Sequence, residues 1–223
     1  MASLFSLIGR SVRLAPMGIE HAAEIAKTAS KVDDSYDYVP LPRTEGMAAK
    51  YILLAIRDRG AGRSIPFVVI RNSDNELIGA TRFLNLQYWH AQKEKDGDFD
   101  VPSAVEIGGS WLTKEARGTG INTECKLLML EQAFDVWGVA RVSLRVDQDN
   151  SRSCAAISKL GIQCDGVRRA HKQARDGRIR GTAYFSVLVE EWPQVRKHIL
   201  EVQAQEDLIV SGISPYNSLR GRS

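Results

Sequence analysis

A glycine-rich turn lies between a strand-like and a helix-like segment near the middle of this 223-residue chain. Its residues run in the order Arg117, Gly118, Thr119, Gly120, Ile121, Asn122, Thr123 and Glu124. The first backbone N–H groups of a helix have no intrahelical partner, and the helix dipole favours an anion beside them. Glycine also lets a ligand approach the main chain closely. The turn therefore predicts a binding site for the phosphates of a small-molecule cofactor.

Two common phosphate-binding loops do not fit the spacing of this turn. A P-loop ends in Gly-Lys-Ser or Gly-Lys-Thr, and neither tripeptide occurs in the sequence. The dinucleotide fingerprint needs a third glycine where Thr123 stands, and an acidic residue about 20 positions later, which residues 139–142 do not supply. The spacing thus argues against both classes of loop.

Composition excludes several other kinds of protein. A hydrophobic content of 43% is enough for the core of one large domain, and a net charge of +3 does not demand a nucleic-acid partner. The three cysteines, Cys125, Cys154 and Cys164, form no CxxC pair, which argues against a disulfide framework or a metal site and favours a cytoplasmic protein. No apolar run approaches the ~18 residues that span a membrane, and the first residues lack the basic segment of a signal peptide.

Periodicity and turn residues predict an α/β domain around a partly antiparallel sheet of about seven strands. Strands are expected at 11–17, 65–71, 76–83, 105–112, 141–146, 163–172 and 179–189. Helices are expected at 20–30, 44–58, 122–137, 150–160 and 191–205. The domain would span residues 1–205, with a mobile polar insertion at 87–103 and a loosely held C-terminal tail at 206–223.

Several phrases of the sequence together resemble the GNAT acetyltransferase superfamily, and within it the RimJ/RimL-like ribosomal-protein alanine acetyltransferases. The phrases are Glu106 to Gly108 with Trp111-Leu112, Gly118 to Glu124, Asp147 to Asn150 with Ser153, Lys159 to Gly161, Asp165 to Arg168, His171, Asp176-Gly177 and Glu191 to Pro193. They cover roughly residues 10–200. Asn122 departs from the usual Gly or Ala of the superfamily, but Gly-x-Asn-Thr-Glu is a common variant in this branch.

The resemblance implies a GNAT fold, in which helices flank a mixed, mostly antiparallel central sheet that is splayed between its fourth and fifth strands. It also implies an N-acetyltransferase that uses acetyl-CoA. A primary amine, on a protein N-terminus or a small molecule, would attack the thioester directly. The residues implied in acetyl-CoA binding are Trp111, Leu112, Thr113, Arg117, Gly118, Thr119, Gly120, Ile121, Asn122, Thr123 and Asn150. Relatives often dimerise, so a homodimer is expected, without membrane or direct nucleic-acid partners. The alternative is a non-catalytic acyl-CoA sensor or scaffold of the same fold.

Three residues are candidates for catalysis. Glu106, on the strand before the glycine turn, is the best candidate for the base that deprotonates the amine. Ser153 matches the proposed acid of the branch, three residues after Asn150, whereas Ile157 replaces the tyrosine acid of many other members. His171 could face the acceptor amine, although a structural role on its strand is the more frequent one. Asn150 could also be the N-cap of the helix that follows it.

The sequence indicates the acceptor site less clearly than the cofactor site. Tyr36, Tyr38 and Trp89 are predicted to line an acceptor groove, although core packing is the commoner place for aromatic residues. Lys172 stands near the position where the RimL-like enzymes place a base glutamate, and it cannot play that part while charged. This departure counts against ribosomal proteins as the acceptor.

Overall fold

Eight strands form one sheet in the computed structural model, which describes residues 4–32, 38–89, 101–174 and 177–211. The strands are β1 Leu7–Ile8, β2 Val12–Pro16, β3 Ser64–Arg71, β4 Leu77–Gln87, β5 Ala104–Leu112, β6 Arg141–Asp147, β7 Gln163–Gln173 and β8 Ile179–Leu188. Their order is β1-β2-β3-β4-β5-β6-β8-β7, and every neighbouring pair is antiparallel except β5 and β6. The predicted mixed, mostly antiparallel α/β fold is confirmed.

Five α-helices accompany the sheet within the described residues. They are α1 Ala22–Ser30, α2 Glu45–Gly60, α3 Ile121–Glu131, α4 Ser151–Lys159 and α5 Trp192–Val210. A 3-10 turn at Ile19–His21 precedes α1, and a π-helical turn at Gln132–Val136 follows α3. The side chain of Thr44 begins α2 by accepting a hydrogen bond from the Met47 N–H at 3.3 Å.

The helices bury apolar residues on both faces of the sheet. One core contains Ile25 of α1, Ile52 of α2 and Trp111 of β5. The larger core lies on the opposite face and includes Leu130 of α3 and Ile199 of α5. β5 therefore contributes to both cores, which fixes its position between the two layers.

The two central strands part after a short paired stretch. β5 and β6 are parallel and paired only between Ala104–Glu106 and Arg141–Ser143. Beyond Glu106 the strands are no longer paired, so the expected splay lies here between β5 and β6. β5 also contains a β-bulge on its other edge, where it pairs with β4. There Ala80 and Arg82 are two residues apart, whereas their partners Trp111 and Gly108 are three residues apart.

The structure differs from the sequence predictions at several element ends. β1 was not predicted, because two residues are too short to show an alternating pattern. β4 continues to Gln87 rather than ending at residue 83. The last helix runs to Val210 rather than to about residue 205, and its final turns are anchored by ion pairs from Asp207 to Arg10 and from Glu206 to Lys159, both at about 2.5–2.6 Å. Most of the predicted 87–103 insertion and of the 206–223 tail lies outside the described residues.

No helix in the described part of the chain is both long and apolar enough to cross a membrane.

Candidate active site

A cleft opens where β5 and β6 part. It contains a cavity of about 160 Å³, with walls formed by β5, β6 and the first turns of α3 and α4. Ile107 and Ser110 lie on one side, Leu144 and Val146 on the other. Such a slot exposes strand edges whose backbone groups are not used within the sheet, so it suits an extended amide-containing chain.

The glycine turn forms the outer end of this cleft. Gly118 and Gly120 adopt φ angles of 74° and 81°, a left-handed conformation that favours glycine. A Cβ atom on Gly118 would meet no atom within 4 Å, so its surface is open. A cavity of about 190 Å³ adjoins the turn and is also lined by Arg117 and by Arg152 of α4. A left-handed glycine turn, a helix N-terminus and two arginines fit a pyrophosphate group.

Several residues that the sequence assigns to the cofactor have side chains that are buried or hydrogen-bonded within the protein. The side chains of Ile121 and Thr123 are buried in the protein interior. Thr119 uses its hydroxyl to donate a hydrogen bond to the Ala116 carbonyl at 2.8 Å. The Arg117 guanidinium donates to the Leu112 carbonyl at 3.3 Å while lining the cavity. These contacts hold the turn in shape beside the cavity.

At the end of β5, the Trp111 side chain and the Thr113 N–H are both used within the protein. The Trp111 side chain is buried in the core under α1 and α2, although the residue also lines the outer cavity. The Thr113 N–H donates to the Ile78 carbonyl at 2.9 Å and is therefore not available to an oxyanion. The ligand contact expected at Thr113 therefore cannot use this N–H, whereas Leu112 lines the outer cavity.

Asn150 and Ser153 meet at the start of α4. The Asn150 Oδ1 atom accepts a hydrogen bond from the Ser153 N–H at 3.1 Å, which makes Asn150 the N-cap. Both residues also line the cleft, and Ser153 lies between the two cavities described so far. The capping role therefore positions the serine hydroxyl at the cleft.

Lys126 was not singled out from the sequence, yet it lies in the cleft wall. It is only 6% exposed, and its Nζ donates to the Ser110 Oγ at 3.0 Å. Burial lowers the pKa of Lys126 to about 8. Its position one helical turn after Asn122 was the available signal, because residues four apart share a face of a helix.

Glu106 lies at the last position where β5 pairs with β6, next to Ile107 and Gly108, which line the cleft. It is 7% exposed, and its Oε2 atom accepts from the Asn85 side chain at 2.6 Å and from Arg145 at 2.7 Å. The Oε1 atom lies 3.3 Å from where a Cβ on Gly108 would be, and no described residue donates to it. One oxygen is thus held in place while the other faces the point where the strands part.

A larger polar cavity of about 640 Å³ adjoins Glu106 on the sheet face beside α2. Arg145 lines both this cavity and the cleft, so the two spaces meet beside Glu106. Burial opposes the charge of Arg145, but its hydrogen bond and attraction to the Glu106 carboxylate outweigh burial, so the pKa of Arg145 is raised. The Glu106 carboxylate therefore lies where the cleft and the polar cavity meet.

His171 lies on β7, in the hairpin that β7 forms with β8, and it adjoins the polar cavity through Tyr184. Its Nδ1 lies 2.9 Å from the Thr182 Oγ1, and its ring centroid lies 6.0 Å from that of Tyr184, which lines the polar cavity. Burial, together with the positive charges of Arg168 and Lys172, lowers the pKa of His171. The geometry does not place it beside Glu106.

The predicted aromatic groove is assembled only in part. Tyr38 lines the cleft, and its hydroxyl donates to the Asp149 carbonyl at 3.1 Å. Trp89 is 47% exposed beside Ser103 and lines none of the three cavities, because it follows the end of β4. Tyr36 lies outside the described residues.

Comparison with known proteins places these features in a family. The family described as "Acetyltransferase (GNAT) domain" matches residues 11–163. No curated protein sequence gives a match.

Solved structures of the same fold span almost the whole chain. A GCN5-related N-acetyltransferase from Brucella melitensis is 24% identical, with a TM-score of 0.75 over 92% of this chain and 87% of that one. A protein from T. thermophilus that is assigned as an acetyltransferase is 26% identical, with a TM-score of 0.72 over 90% and 98%. RimJ of Mycobacterium smegmatis, solved in complex with CoA-disulfide, is 20% identical, with a TM-score of 0.69 over 86% and 88%.

Proposed function

Because the chain belongs to the GNAT acetyltransferase family, we propose that it transfers the acetyl group of acetyl-CoA to a primary amine. One observation carries the proposal: Glu106 lies where the cleft meets the polar cavity, with Oε1 directed towards Gly108 and Oε2 held by two donors. A donor entering through the cleft and an amine entering through the cavity would meet at this carboxylate.

The glycine turn and the cleft support acetyl-CoA as the donor. The N–H groups at the start of α3 and the side chains of Arg117 and Arg152 would hold the pyrophosphate, and the slot between β5 and β6 would hold the pantetheine arm. Bound there, acetyl-CoA supplies a thioester whose carbonyl carbon a neutral amine can attack, with the thiolate as leaving group.

Glu106 would accept the proton of the incoming ammonium, directly or through one water. Asn85 and Arg145 hold Oε2 and so fix the direction of the lone pairs on Oε1. A base must lie within hydrogen-bond reach of the proton that it removes, and Oε1 is the atom with that access.

The bulge of β5 would stabilise the oxyanion that develops on the carbonyl. A bulge leaves one residue without its ladder partner, and here that stretch is Gly109-Ser110, opposite Thr81. A backbone N–H freed in this way can donate to the oxyanion without reorganisation. Thr113 is excluded from this part by its bond to Ile78.

The departing thiolate would take up the proton that the attacking nitrogen loses, relayed through the Ser153 hydroxyl, because the N-cap contact with Asn150 holds Ser153 at the cleft. This step is undemanding, since a thiolate is only weakly basic at neutral pH.

The test combines binding with turnover. Calorimetric titration with acetyl-CoA should show binding, and a panel of amines should yield CoA thiol in the presence of at least one acceptor. Absence of binding at sub-millimolar acetyl-CoA would contradict the proposal. Binding without turnover on any amine would instead favour a non-catalytic acyl-CoA sensor, the role that the buried Ile157 in place of a tyrosine acid would suit.

A further inference from the structure

We propose that the polar cavity beside Glu106 selects acceptor amines that also carry a carboxylate, and that Arg141 recognises this anion. The inference rests on the proposed acetyl transfer and adds the chemical class of its acceptor.

The charged side chains that face the cavity differ in whether they form ion pairs within the protein. Three arginines line it, together with the carboxylates of Glu106 and Asp165. Arg145 is paired with Glu106 at 2.7 Å, and Arg63 is paired with Asp58 at 2.5 Å. Both of these guanidinium charges are compensated from within the protein.

The charge of Arg141 has no carboxylate partner among the described residues. Its only hydrogen bond to a described residue is a long one of 3.5 Å from Nη2 to the neutral Gln87 side chain, and no described carboxylate lies within ion-pair distance. The Nε–H groups of Arg141 and Arg145 are both buried without a hydrogen-bond partner in the described residues. A guanidinium that lines the cavity without a carboxylate partner among the described residues is suited to bind the carboxylate of a ligand.

Arg141 also points to the correct side of the sheet. Along β6, Arg141, Ser143 and Arg145 alternate with the buried Val142 and Leu144, so the three polar side chains share the face that forms the cavity.

The register sets the spacing between the two ends of the acceptor. Ser143 pairs with Glu106 and Arg141 pairs with Ala104, so the Glu106 and Arg141 positions are two residues apart along the strands. Two residues of strand correspond to roughly 7 Å. Arg145 lies equally far from Ser143 on its other side and still reaches Glu106, whereas Arg141 forms no ion pair with Glu106. We therefore expect acceptors whose carboxylate lies several bonds from the amine, such as a γ-amino acid or a peptide with Asp or Glu as its second residue.

Matched acceptor pairs test this selectivity. We would compare γ-aminobutyrate with its amide, and a peptide that begins Ser-Glu with one that begins Ser-Gln, by following release of the CoA thiol. Since a guanidinium pairs strongly with a carboxylate, the acidic member should have a kcat/KM about tenfold higher. Arg141→Gln should bring this ratio close to one, and Arg141→Glu should invert it.

Arg13→Gln is the matched control. Arg13 also lies on a strand and donates to an amide oxygen, that of Asn75 at 2.9 Å, but it is remote from the cavity. The variant loses the same charge and should keep the ratio of the native protein. Equal CoA affinity of all variants, measured by calorimetry, shows that the fold is intact.

A second readout separates this inference from the proposed transfer. The same acceptor pairs are titrated calorimetrically into the protein saturated with CoA. Tighter binding of the acidic members, lost in Arg141→Gln, supports the inference even if no acceptor is turned over, in which case the proposed transfer is wrong. An acid-to-amide ratio below about twofold in both readouts, or a ratio that Arg141→Gln leaves unchanged, overturns the inference.

Discussion

The carboxylate of Glu106 and the guanidinium of Arg145 form an ion pair of 2.7 Å at the point where β5 and β6 part. The pair uses only Oε2 of the glutamate, which also accepts from Asn85. The ion pair therefore both orients the carboxylate and leaves Oε1 free for an incoming amine. It joins the walls of the cleft to those of the polar cavity.

Replacing Glu106 by Gln removes the proposed base while keeping its size. An amide cannot take a proton from an ammonium at neutral pH, so we expect kcat/KM to fall by about 10²–10⁴. The loss should appear in the thiol-release assay with any acceptor that the native protein uses. Acetyl-CoA affinity should stay within about threefold, because Glu106 does not line the cavity beside the glycine turn.

Asp165→Asn is the matched control for this substitution. Asp165 lines the same polar cavity and is also hydrogen-bonded, accepting from the Ser186 Oγ at 2.7 Å, but it does not face Gly108. A kcat/KM that falls as far in Asp165→Asn as in Glu106→Gln would assign the loss to the charge of the cavity and not to a base at Glu106.

Removing Arg145 should destabilise the fold as well as the site. In Arg145→Gln the buried Glu106 carboxylate loses its cationic partner, which costs about 3–5 kcal/mol for a fully buried pair. Since the Arg145 side chain is 29% exposed, we expect a smaller loss of about 2 kcal/mol in the free energy of unfolding. Urea denaturation measures this loss at neutral pH. In the background of Glu106→Gln the same substitution should cost much less, and equal costs in the two backgrounds would mean that the pair is not coupled.

The sequence predicted the fold and the glycine turn because their signals are local. Alternating residues such as 141–146 define a strand by themselves, and Gly118 and Gly120 mark a turn that few other residues tolerate. The order of the elements followed from such local patterns, and the resemblance then supplied the splay between the central strands.

The parts of the site that depend on long-range contacts were not predictable in the same way. Asn85 and Arg145 reach Glu106 from two different strands, and nothing in either local sequence indicates that they bind one oxygen atom. Trp111 was expected to contact the cofactor, but the bulge sets which face of β5 each residue occupies, and the indole enters the core. Lys126 was overlooked because a lysine in a helix is usually exposed.

The left-handed conformation of Gly118 gives a prediction about cofactor binding. Gly118→Ala should cost about 1 kcal/mol of stability through backbone strain, since φ is 74°. The strain should also shift the N–H groups of the turn, so we expect the dissociation constant for acetyl-CoA to rise by about tenfold. Calorimetric titration and thermal unfolding measure the two effects separately.

Gly62→Ala provides the matched control, because Gly62 has a φ of 68°, open space around its Cβ position and no place in the cleft. It should lose similar stability and keep the acetyl-CoA affinity of the native protein. Equal loss of affinity in both variants would show that the effect of Gly118→Ala is general and not local to the phosphate site.

The buried Lys126 makes stability depend on pH in the alkaline range. Its pKa is lowered by burial from 10.5 to about 8 in the folded protein, while the unfolded chain keeps the ordinary value. Between these values the unfolded state binds more protons, so stability rises with pH there. Below about pH 8 the folded state bears the full cost of a buried ammonium, on the order of 3 kcal/mol before the bond to Ser110 offsets part of it.

Lys126→Met keeps most of the length of the side chain and removes this cost. We expect the variant to be more stable than the native protein at pH 7, by about 1–3 kcal/mol, and the advantage to disappear as the pH rises from 8 towards 10.5. Urea denaturation of both proteins between pH 7 and pH 10 measures the difference. Lys197→Met, on the exposed side of α5, controls for the change in net charge and should give no such pH dependence. A stability difference between Lys126→Met and the native protein that stays constant over this range would mean that Lys126 does not lose its proton in the cleft.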